Sequence, residues 1–393
     1  MKQEKKQSGA AGWLRREKWS AVVLALAAVI FAAALIWLRP EPGQEAPKAD
    51  FVEYEKAVVV DVVSDSTESD PVSDGGWRGE QTLTAEVKSG RYAGKTYLAH
   101  NYVGPLYGVP VHEGDGVILA ISTYSNGEVK ATVQEYNRIG ALIAVVAVFF
   151  LVTVLVGRRT GLKSLVALAL TVACLLWILL PMLMRGVPTL AGVFAVCVFI
   201  AVVSFTILGG LHRKSVCAML GTVAGAAFAL LFGLLAQHLA RIDGLRIDHV
   251  EALLQLRQTG TPVGLRGLLV GGLVISALGA VMDVAMSISS ALEEVHAANP
   301  ALGAKELFRS GMNIGADMVG TMTHTLILAF LGGGFTLILY LYSLSPSKYL
   351  LLSSPYVAIE LISGVASSVG MILSIPLTAL ISAALIARKG TEA

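Results

Sequence analysis

Runs of about 20 mostly apolar residues recur along this chain, and a helix of that length crosses a lipid bilayer. The predicted spans, one to eight in chain order, are Trp19–Leu38, Ile139–Val156, Leu165–Leu183, Pro188–Leu208, Val216–His238, Gly267–Ser289, Met312–Tyr342 and Ile362–Ile386. Hydrophobic residues make up 55% of the chain and charged residues only 15%, which excludes an ordinary soluble domain. The runs therefore predict an α-helical integral membrane protein with about eight transmembrane helices.

One long stretch, residues 40–136, departs from this pattern and predicts a small all-β domain. Its short strand-like runs are separated by turn-forming residues, and they are Ala57–Val63, Gln81–Lys88, Lys95–Asn101, Gly116–Thr123 and Glu128–Glu135. Short strands at this spacing predict either a small OB-like barrel or a sandwich. The stretch lacks a basic face with interleaved aromatic residues, so nucleic acid is not an expected partner.

The predicted layout is a basic tail (1–18), an anchor (19–38), the β-domain (40–136), a seven-helix membrane domain (139–386) and a short tail (387–393). The anchor is expected to remain uncleaved, because its apolar run is longer than that of a signal peptide. Basic residues such as Arg158, Arg159 and Lys163 lie mainly in the loops and tails on the N-terminal side of the membrane. The positive-inside rule therefore predicts that both termini are cytoplasmic and that residues 40–136 lie outside.

Side chains with obvious cofactor chemistry are few. Cys174, Cys197 and Cys217 fall in or at the edges of apolar runs, so neither a disulfide scaffold nor a zinc site is expected. The sequence contains no nucleotide-binding fingerprint and no metal-ligand spacing. It thus predicts no cofactor, no metal site and no enzyme active site.

Small and polar residues recur at helical spacing on the last three predicted spans. We take these as candidates for a polar path across the membrane: Ser276, Asp283 and Ser287 on the sixth span, Asp317, Thr321 and His324 on the seventh, and Ser367 on the eighth. An ionisable residue at membrane depth costs roughly 2.5–3.5 kcal/mol on insertion scales, which suggests a function for the two acids. We expect the polar faces to lie against one another, with both acids toward the cytoplasm. Close helix packing through small residues is the alternative.

Two loops and one of the predicted spans carry further predictions. Asn299-Pro300 suits the N-cap and first position of a helix, so a short amphipathic helix is expected to start there. The run Met312–Tyr342 is too long for an upright span and is either tilted or broken at Gly332–Gly334. A further amphipathic helix, Val250–Gln258, is expected in the loop after the fifth span.

Two motifs surround these candidates: GAVMDVAMSI from Gly279 to Ile288, and GTMTHTLILA from Gly320 to Ala329. Both resemble the YibE/F family of bacterial membrane proteins, and the order of anchor, soluble β-domain and seven-helix region agrees with that family. The resemblance implies a multi-pass protein of the bacterial plasma membrane. It supplies no catalytic residues.

Three functions follow as hypotheses. The first is a transporter or permease-like protein that moves an ion or small solute along the polar path. The second is a non-transporting scaffold or sensor whose β-domain binds a partner. The third is an intramembrane aspartyl protease with Asp283 and Asp317 as its dyad, although the flanking motifs of such enzymes are absent. The expected partners are the lipid bilayer, an ion or small solute, and either a second copy of the chain or another membrane protein.

Overall fold

A computed structural model describes residues 2–38, 52–124, 128–242, 250–258, 260–265, 267–344 and 347–387; for residues 2–18 and 256 it describes the backbone only. The chain divides into two compact units, one comprising residues 40–155 and the other residues 1–39 together with 156–393. Predictions for the linker after residue 39, the turn at 125–127 and the tail beyond residue 387 lie outside the described residues.

The β-part of the first unit is a closed barrel. Its strands are β1 (Val52–Asp65), β2 (Glu68–Ser69), β3 (Trp77–Val87), β4 (Thr96–Val103), β5 (Gly116–Thr123) and β6 (Val129–Tyr136). Strand β1 pairs with both β3 and β5, so the order β1-β5-β6-β4-β3 closes on itself, and β2 extends β3 at one edge. Strands β4 and β6 run parallel, whereas the other pairs are antiparallel. The barrel form is therefore confirmed over the sandwich, and each predicted strand is present.

Two buried amide side chains hold the loop before β5 onto this barrel. Gln81 donates to the Val111 carbonyl (3.1 Å) and accepts from the Val111 amide (2.9 Å), while Asn101 donates to Gln81 (2.9 Å). Gln81 also donates to the carboxylate of Asp65 (2.8 Å). Hydrogen bonds from the hydroxyl and amide of Thr67, together with this one, hold the pKa of Asp65 below its ordinary value.

The rest of the described chain is helical. The helices are α1 (Lys2–Trp37), α2 (Ile139–Cys174), α3 (Leu180–Met184), α4 (Thr189–Gly209), α5 (Arg213–Leu239), α6 (Val250–Gln258), α7 (Leu268–Ala298), α8 (Ala304–Gly333), α9 (Phe335–Ser343), α10 (Lys348–Leu352) and α11 (Pro355–Ala387). A π-helical turn, Leu175–Leu179, joins α2 to α3 without interruption. The predicted helix Val250–Gln258 is confirmed as α6.

Seven helical segments in the described chain are long and apolar enough to cross a membrane, compared with the eight predicted. The difference arises because the second and third predicted spans form one continuous segment of 46 residues, Ile139–Met184. The expected loop between them is reduced to a single break at Arg158, whose backbone leaves helical geometry (φ 49°, ψ −129°).

Contacts near the helix ends show which helix ends lie together in the second unit. At the first end, the hydroxyl of Ser20 in α1 accepts from the amide of Leu211, which follows α4 (2.9 Å). At the same end, Arg213 of α5 donates to the Leu385 carbonyl of α11 (3.0 Å). The beginning of the apolar run of α1 and the end of α11 therefore share one end of the bundle.

The end of α1 and the segments before α4 and α7 lie at the opposite end. The Arg185 guanidinium lies 5.1 Å from the centre of the Trp37 ring, at the end of α1. Close by in the chain, Thr189 at the start of α4 donates to the Gly264 carbonyl, which precedes α7 (2.7 Å). Helices α1 and α4 thus each run from one end of the unit to the other, as spans of a membrane domain do.

Small residues allow α5 and α11 to pack closely at the centre of this unit. A β-carbon added at Gly225 would lie 2.7 Å from Ser374 Cβ and from Val281 Cγ1, and 3.1 Å from the Gly370 carbonyl. The Gly221-x-x-x-Gly225 pair is therefore a helix contact inside the chain, as the packing alternative predicts.

Helices α7 and α8 extend beyond their predicted ends. The prediction that a helix starts at Asn299-Pro300 is wrong. The Asn299 amide donates to the Val295 carbonyl and closes α7 (3.0 Å). Helix α8 starts only at Ala304, where the Gly303 amide donates to the Glu306 carboxylate (3.0 Å). The extensions form because Leu292 and Leu307 are fully buried against the end of α11.

The long seventh run is broken rather than only tilted. Helix α8 ends at Gly333, Gly334 leaves helical geometry (φ −86°, ψ 5°), and α9 begins at Phe335. Helix α11 begins at Pro355, earlier than the predicted Ile362, and so includes Glu360.

Candidate functional site

The polar residues of α7 lie on one exposed face of that helix. Ser276, Asp283 and Ser287 are all exposed, and no atom lies within 4 Å of a β-carbon added at Gly272 or Gly279. The opposite face of α7 is fully buried and apolar, with Val281, Val284 and Ile288 in the core. Hydrophobic periodicity decides this orientation, because the apolar face makes the contacts with α4, α5 and α11.

The polar residues of α8 are exposed in the same way. Asp317, Thr321 and His324 lie on its outer face. The packing face of α8 contains Gly311 and Gly315, which approach α7 and α11 closely. Helix–helix contact is therefore made through glycine and aliphatic residues, and the acids take no part in it.

The packing register of α7 against α8 brings the ionisable groups within about two helical turns of one another along the helix axes. Leu292 lies against Gly311, and Ile288 lies against Gly315, in an antiparallel hairpin. Continued along both helices, this register places Asp283 level with Gly320. Asp317 is three residues to one side of that level and His324 four residues to the other, which is roughly 4.5 and 6 Å along the axis. We call Asp283, Asp317 and His324 the polar belt.

The polar belt lies near the middle of both helices. Asp283 is the midpoint of α7, which has 31 residues, and Asp317 lies near the midpoint of α8, which has 30. The extra length of α7 lies beyond the end of α4, because a β-carbon added at Gly209, the last residue of α4, would lie 3.3 Å from Met286 Cε. Asp283 is therefore about one turn from the end of the bundle at which α4 ends. The expectation that both acids lie toward the cytoplasm stays a prediction.

Neither acid has a partner in the described part of the chain: no ion pair and no hydrogen bond reaches the carboxyl group of Asp283 or Asp317. The ring of His324 does have one, since its Nδ1 donates to the Gly320 carbonyl (2.6 Å). That bond leaves Nε2 as an acceptor facing outward. The belt thus presents two carboxyl groups and one imidazole nitrogen that have no hydrogen-bond partner in the described part of the chain.

Ser367 does not belong to this group. It is fully buried on α11, and its hydroxyl has no hydrogen-bond partner among the described residues. The other small residues of that helix, such as Gly370 and Ser374, face α5. The expectation that the polar faces of α7, α8 and α11 lie against one another is therefore wrong, because the faces of α7 and α8 point outward and that of α11 points inward.

A further acid lies at the break between α8 and α9. A β-carbon added at Gly334 would lie 3.0 Å from Glu360 Cγ and 3.2 Å from its Cδ, so the Glu360 carboxyl group sits beside the interrupted backbone. The sequence shows both the glycine triplet and Glu360, but nothing in the spacing of the two segments pairs them. Groups of three or more His, Cys, Asp or Glu side chains that would hold a metal ion are absent from the described residues.

A comparison with protein families matches residues 145–388 to the family described as YibE/F-like protein. This match includes every residue of the polar belt as well as Gly334 and Glu360. No curated protein and no solved structure matches the chain. Because the match covers more than half of the sequence and the whole helical region around the belt, this chain belongs to the YibE/F-like protein family.

Proposed function

We propose that this chain is a multi-pass protein of the bacterial plasma membrane that moves an ion or small polar solute along the outer faces of α7 and α8. The observation that carries the proposal is the polar belt: Asp283, Asp317 and His324 lie within about two helical turns of one another, among apolar residues of two adjacent helices. Ionisable residues at membrane depth are costly, and they mark ion paths and proton relays in transporters.

The exposure of apolar surface supports the membrane placement. In the segment Ile139–Met184, none of the most apolar 18 residues is buried within the described chain. A helix that is apolar on all sides and uncovered by protein needs a lipid environment. Lipid acyl chains supply it.

The ends of the bundle support eight crossings. Trp37 and Arg185 meet at one end, and the β-barrel lies between them in the chain. In the topology predicted from the sequence, the β-domain lies on the side where the anchor ends, so Ile139–Met184 starts and finishes on that same side. The segment therefore crosses twice, turning at Arg158, which gives the basic residues Arg158, Arg159 and Lys163 a cytoplasmic position.

The helix break supports a path that continues past the belt. Broken helices line substrate and ion sites in many transporters, because their free backbone groups are available to a ligand. Gly334 breaks the helix that carries Asp317 and His324, and Glu360 lies beside that break. Asp317, His324 and the break thus follow one another along α8.

Proteoliposomes test this function. The purified wild-type chain is expected to carry protons or sodium ions down an imposed gradient, and Asp283→Asn is expected to lower that flux at least about ten-fold, because an uncharged amide cannot release a proton. Glu294→Gln is the matched control, since Glu294 is exposed on the same helix but lies near its end. Flux in Asp283→Asn equal to that of the wild type would contradict the assigned path.

A second function, a membrane scaffold that assembles through α7, is favoured by one observation. The small residues Gly272, Ser276 and Gly279 are spaced for close helix contact, yet nothing in the described chain covers them. A second copy or another membrane protein on this face would also remove Asp283 from lipid. Wild-type vesicles without ion flux, combined with cross-linking between copies through Ser276→Cys, would support this function instead.

A further inference from the structure

A cleft of about 570 Å³ opens between the start of the apolar run of α1, the C-terminal part of α2 and the end of α4. It lies at the end of the bundle where Ser20 meets Leu211. Gly209 in its wall approaches Met286 of α7, about one turn from Asp283. Its volume is within the usual range for sites that hold small organic molecules.

The walls of the cleft are mainly aliphatic. Leu24 comes from α1, Leu162 and Val166 come from α2, and Leu208 comes from α4. Such walls accept a hydrocarbon chain and offer little to a free polar solute.

One end of the cleft is polar and basic. Lys163 and His212 line it together with Ser20, and none of the residues that line the cleft is an acid. Lys163 is exposed and forms no ion pair within the described chain. His212 donates from Nδ1 to the Gly209 carbonyl (2.6 Å), so its Nε2 is the ring nitrogen that could contact a ligand. The charge of this end therefore matches an anion.

Gly210 keeps this polar end compact. Its backbone is left-handed (φ 66°), and a β-carbon there would lie 3.2 Å from His212 Nδ1 and 3.4 Å from Ser20 Oγ. The turn thus holds the imidazole and the end of α1 together without a side chain in between.

We propose that this cleft binds one anionic phospholipid, with an acyl chain along the aliphatic wall and the phosphate at Lys163 and His212. The inference rests on the proposed membrane placement, which puts this end of the bundle at the cytoplasmic headgroup level. Basic pockets between transmembrane helices on that side recognise anionic headgroups.

The test is lipid retention by the full-length chain in detergent, measured by native mass spectrometry. We expect phosphatidylglycerol to be retained in preference to phosphatidylcholine of the same chain length. Lys163→Gln is expected to weaken retention about five-fold, the loss of one lysine–lipid contact. Arg159→Gln removes the same charge outside the cleft and is expected to retain the lipid.

A second pair of variants tests the acyl chain. Val166→Trp fills the cleft and is expected to prevent retention, whereas Leu168→Trp, on an exposed position of the same helix outside the cleft, is expected to leave it unchanged. Equal retention of phosphatidylcholine, an equal loss in Arg159→Gln, or full competition by inorganic phosphate would each overturn the proposal.

Failure of the proposed function has a different signature. A chain that alkaline carbonate strips from membranes is not an integral membrane protein, and the membrane placement itself then fails. A chain that resists extraction but shows no preference for phosphatidylglycerol loses only the lipid site.

Discussion

Gln81 shows how much one buried side chain contributes to the β-barrel. It is almost fully buried and makes hydrogen bonds with both backbone groups of Val111 and with Asn101. A buried amide is stabilising only when its partners satisfy it, and its loss leaves those partners unpaired. The middle of the loop between β4 and β5 is therefore held by side-chain hydrogen bonds, whereas its end, Gly114 and Asp115, forms backbone hydrogen bonds with Val59 of β1.

We expect Gln81→Leu to loosen that loop without unfolding the barrel. The replacement leaves the Val111 amide and the Asn101 side chain without their partner, at a cost of about 1–3 kcal/mol. Hydrogen exchange of the full-length chain should show faster exchange in the segment 104–115. Gln134→Leu, at an exposed position on β6, is the control, and equal exchange in the two variants would contradict this role.

Helix packing in this chain depends on which glycines are covered. A β-carbon at Gly225 meets Ser374 and Val281, whereas one at Gly279 meets nothing within 4 Å. Both glycines lie inside long helices and belong to small-residue patterns that look alike in sequence. Their roles differ because α5 is packed against α11, while the polar face of α7 is free in the described chain.

We expect Gly225→Val to lower the thermal stability of the detergent-solubilised chain, and Gly279→Val to leave it nearly unchanged. Added methyl groups at a close-packed contact cost about 1–3 kcal/mol, because backbone and side chains must shift. Thermal unfolding of both purified variants, compared with the wild type, measures the difference. Equal destabilisation would mean that the exposed face of α7 is covered in the folded monomer.

The direction of the whole chain across the membrane has a simple test. The three cysteines are buried, so engineered cysteines can be labelled against a low background. With two crossings in Ile139–Met184, Ser69→Cys in the barrel and Lys348→Cys at the start of α10 are expected to react with a membrane-impermeant maleimide in spheroplasts. Lys305→Cys, at the start of α8, should react only after the membrane is permeabilised.

A single crossing in that segment would give a different result. Lys305→Cys would then react in intact spheroplasts, and Lys348→Cys would be protected. The pair therefore distinguishes eight spans from seven, while Ser69→Cys reports the side of the barrel in either case.

Family membership and element types followed from the sequence because they depend on local pattern. Apolar runs, alternating strands and the motifs around Asp283 and His324 are properties of neighbouring residues. The five main strands and the helix Val250–Gln258 were predicted for this reason. The helix ends near Ala298 and Ala304 were not, because they are set by contacts of Leu292 and Leu307 with a distant helix.

The direction of each polar face is a tertiary property. The spacing of Ser276, Asp283 and Ser287 places them on one side of α7, but spacing alone does not say what that side meets. Burial of Val281, Val284 and Ile288 against other helices turns the acids of α7 outward, and the register of Gly311 and Gly315 brings Asp317 to nearly the same level. The sequence pattern therefore identified the residues of the belt. Long-range packing decided their position along the helices and their exposure, because burial of the apolar face outweighs the cost of leaving the polar face uncovered.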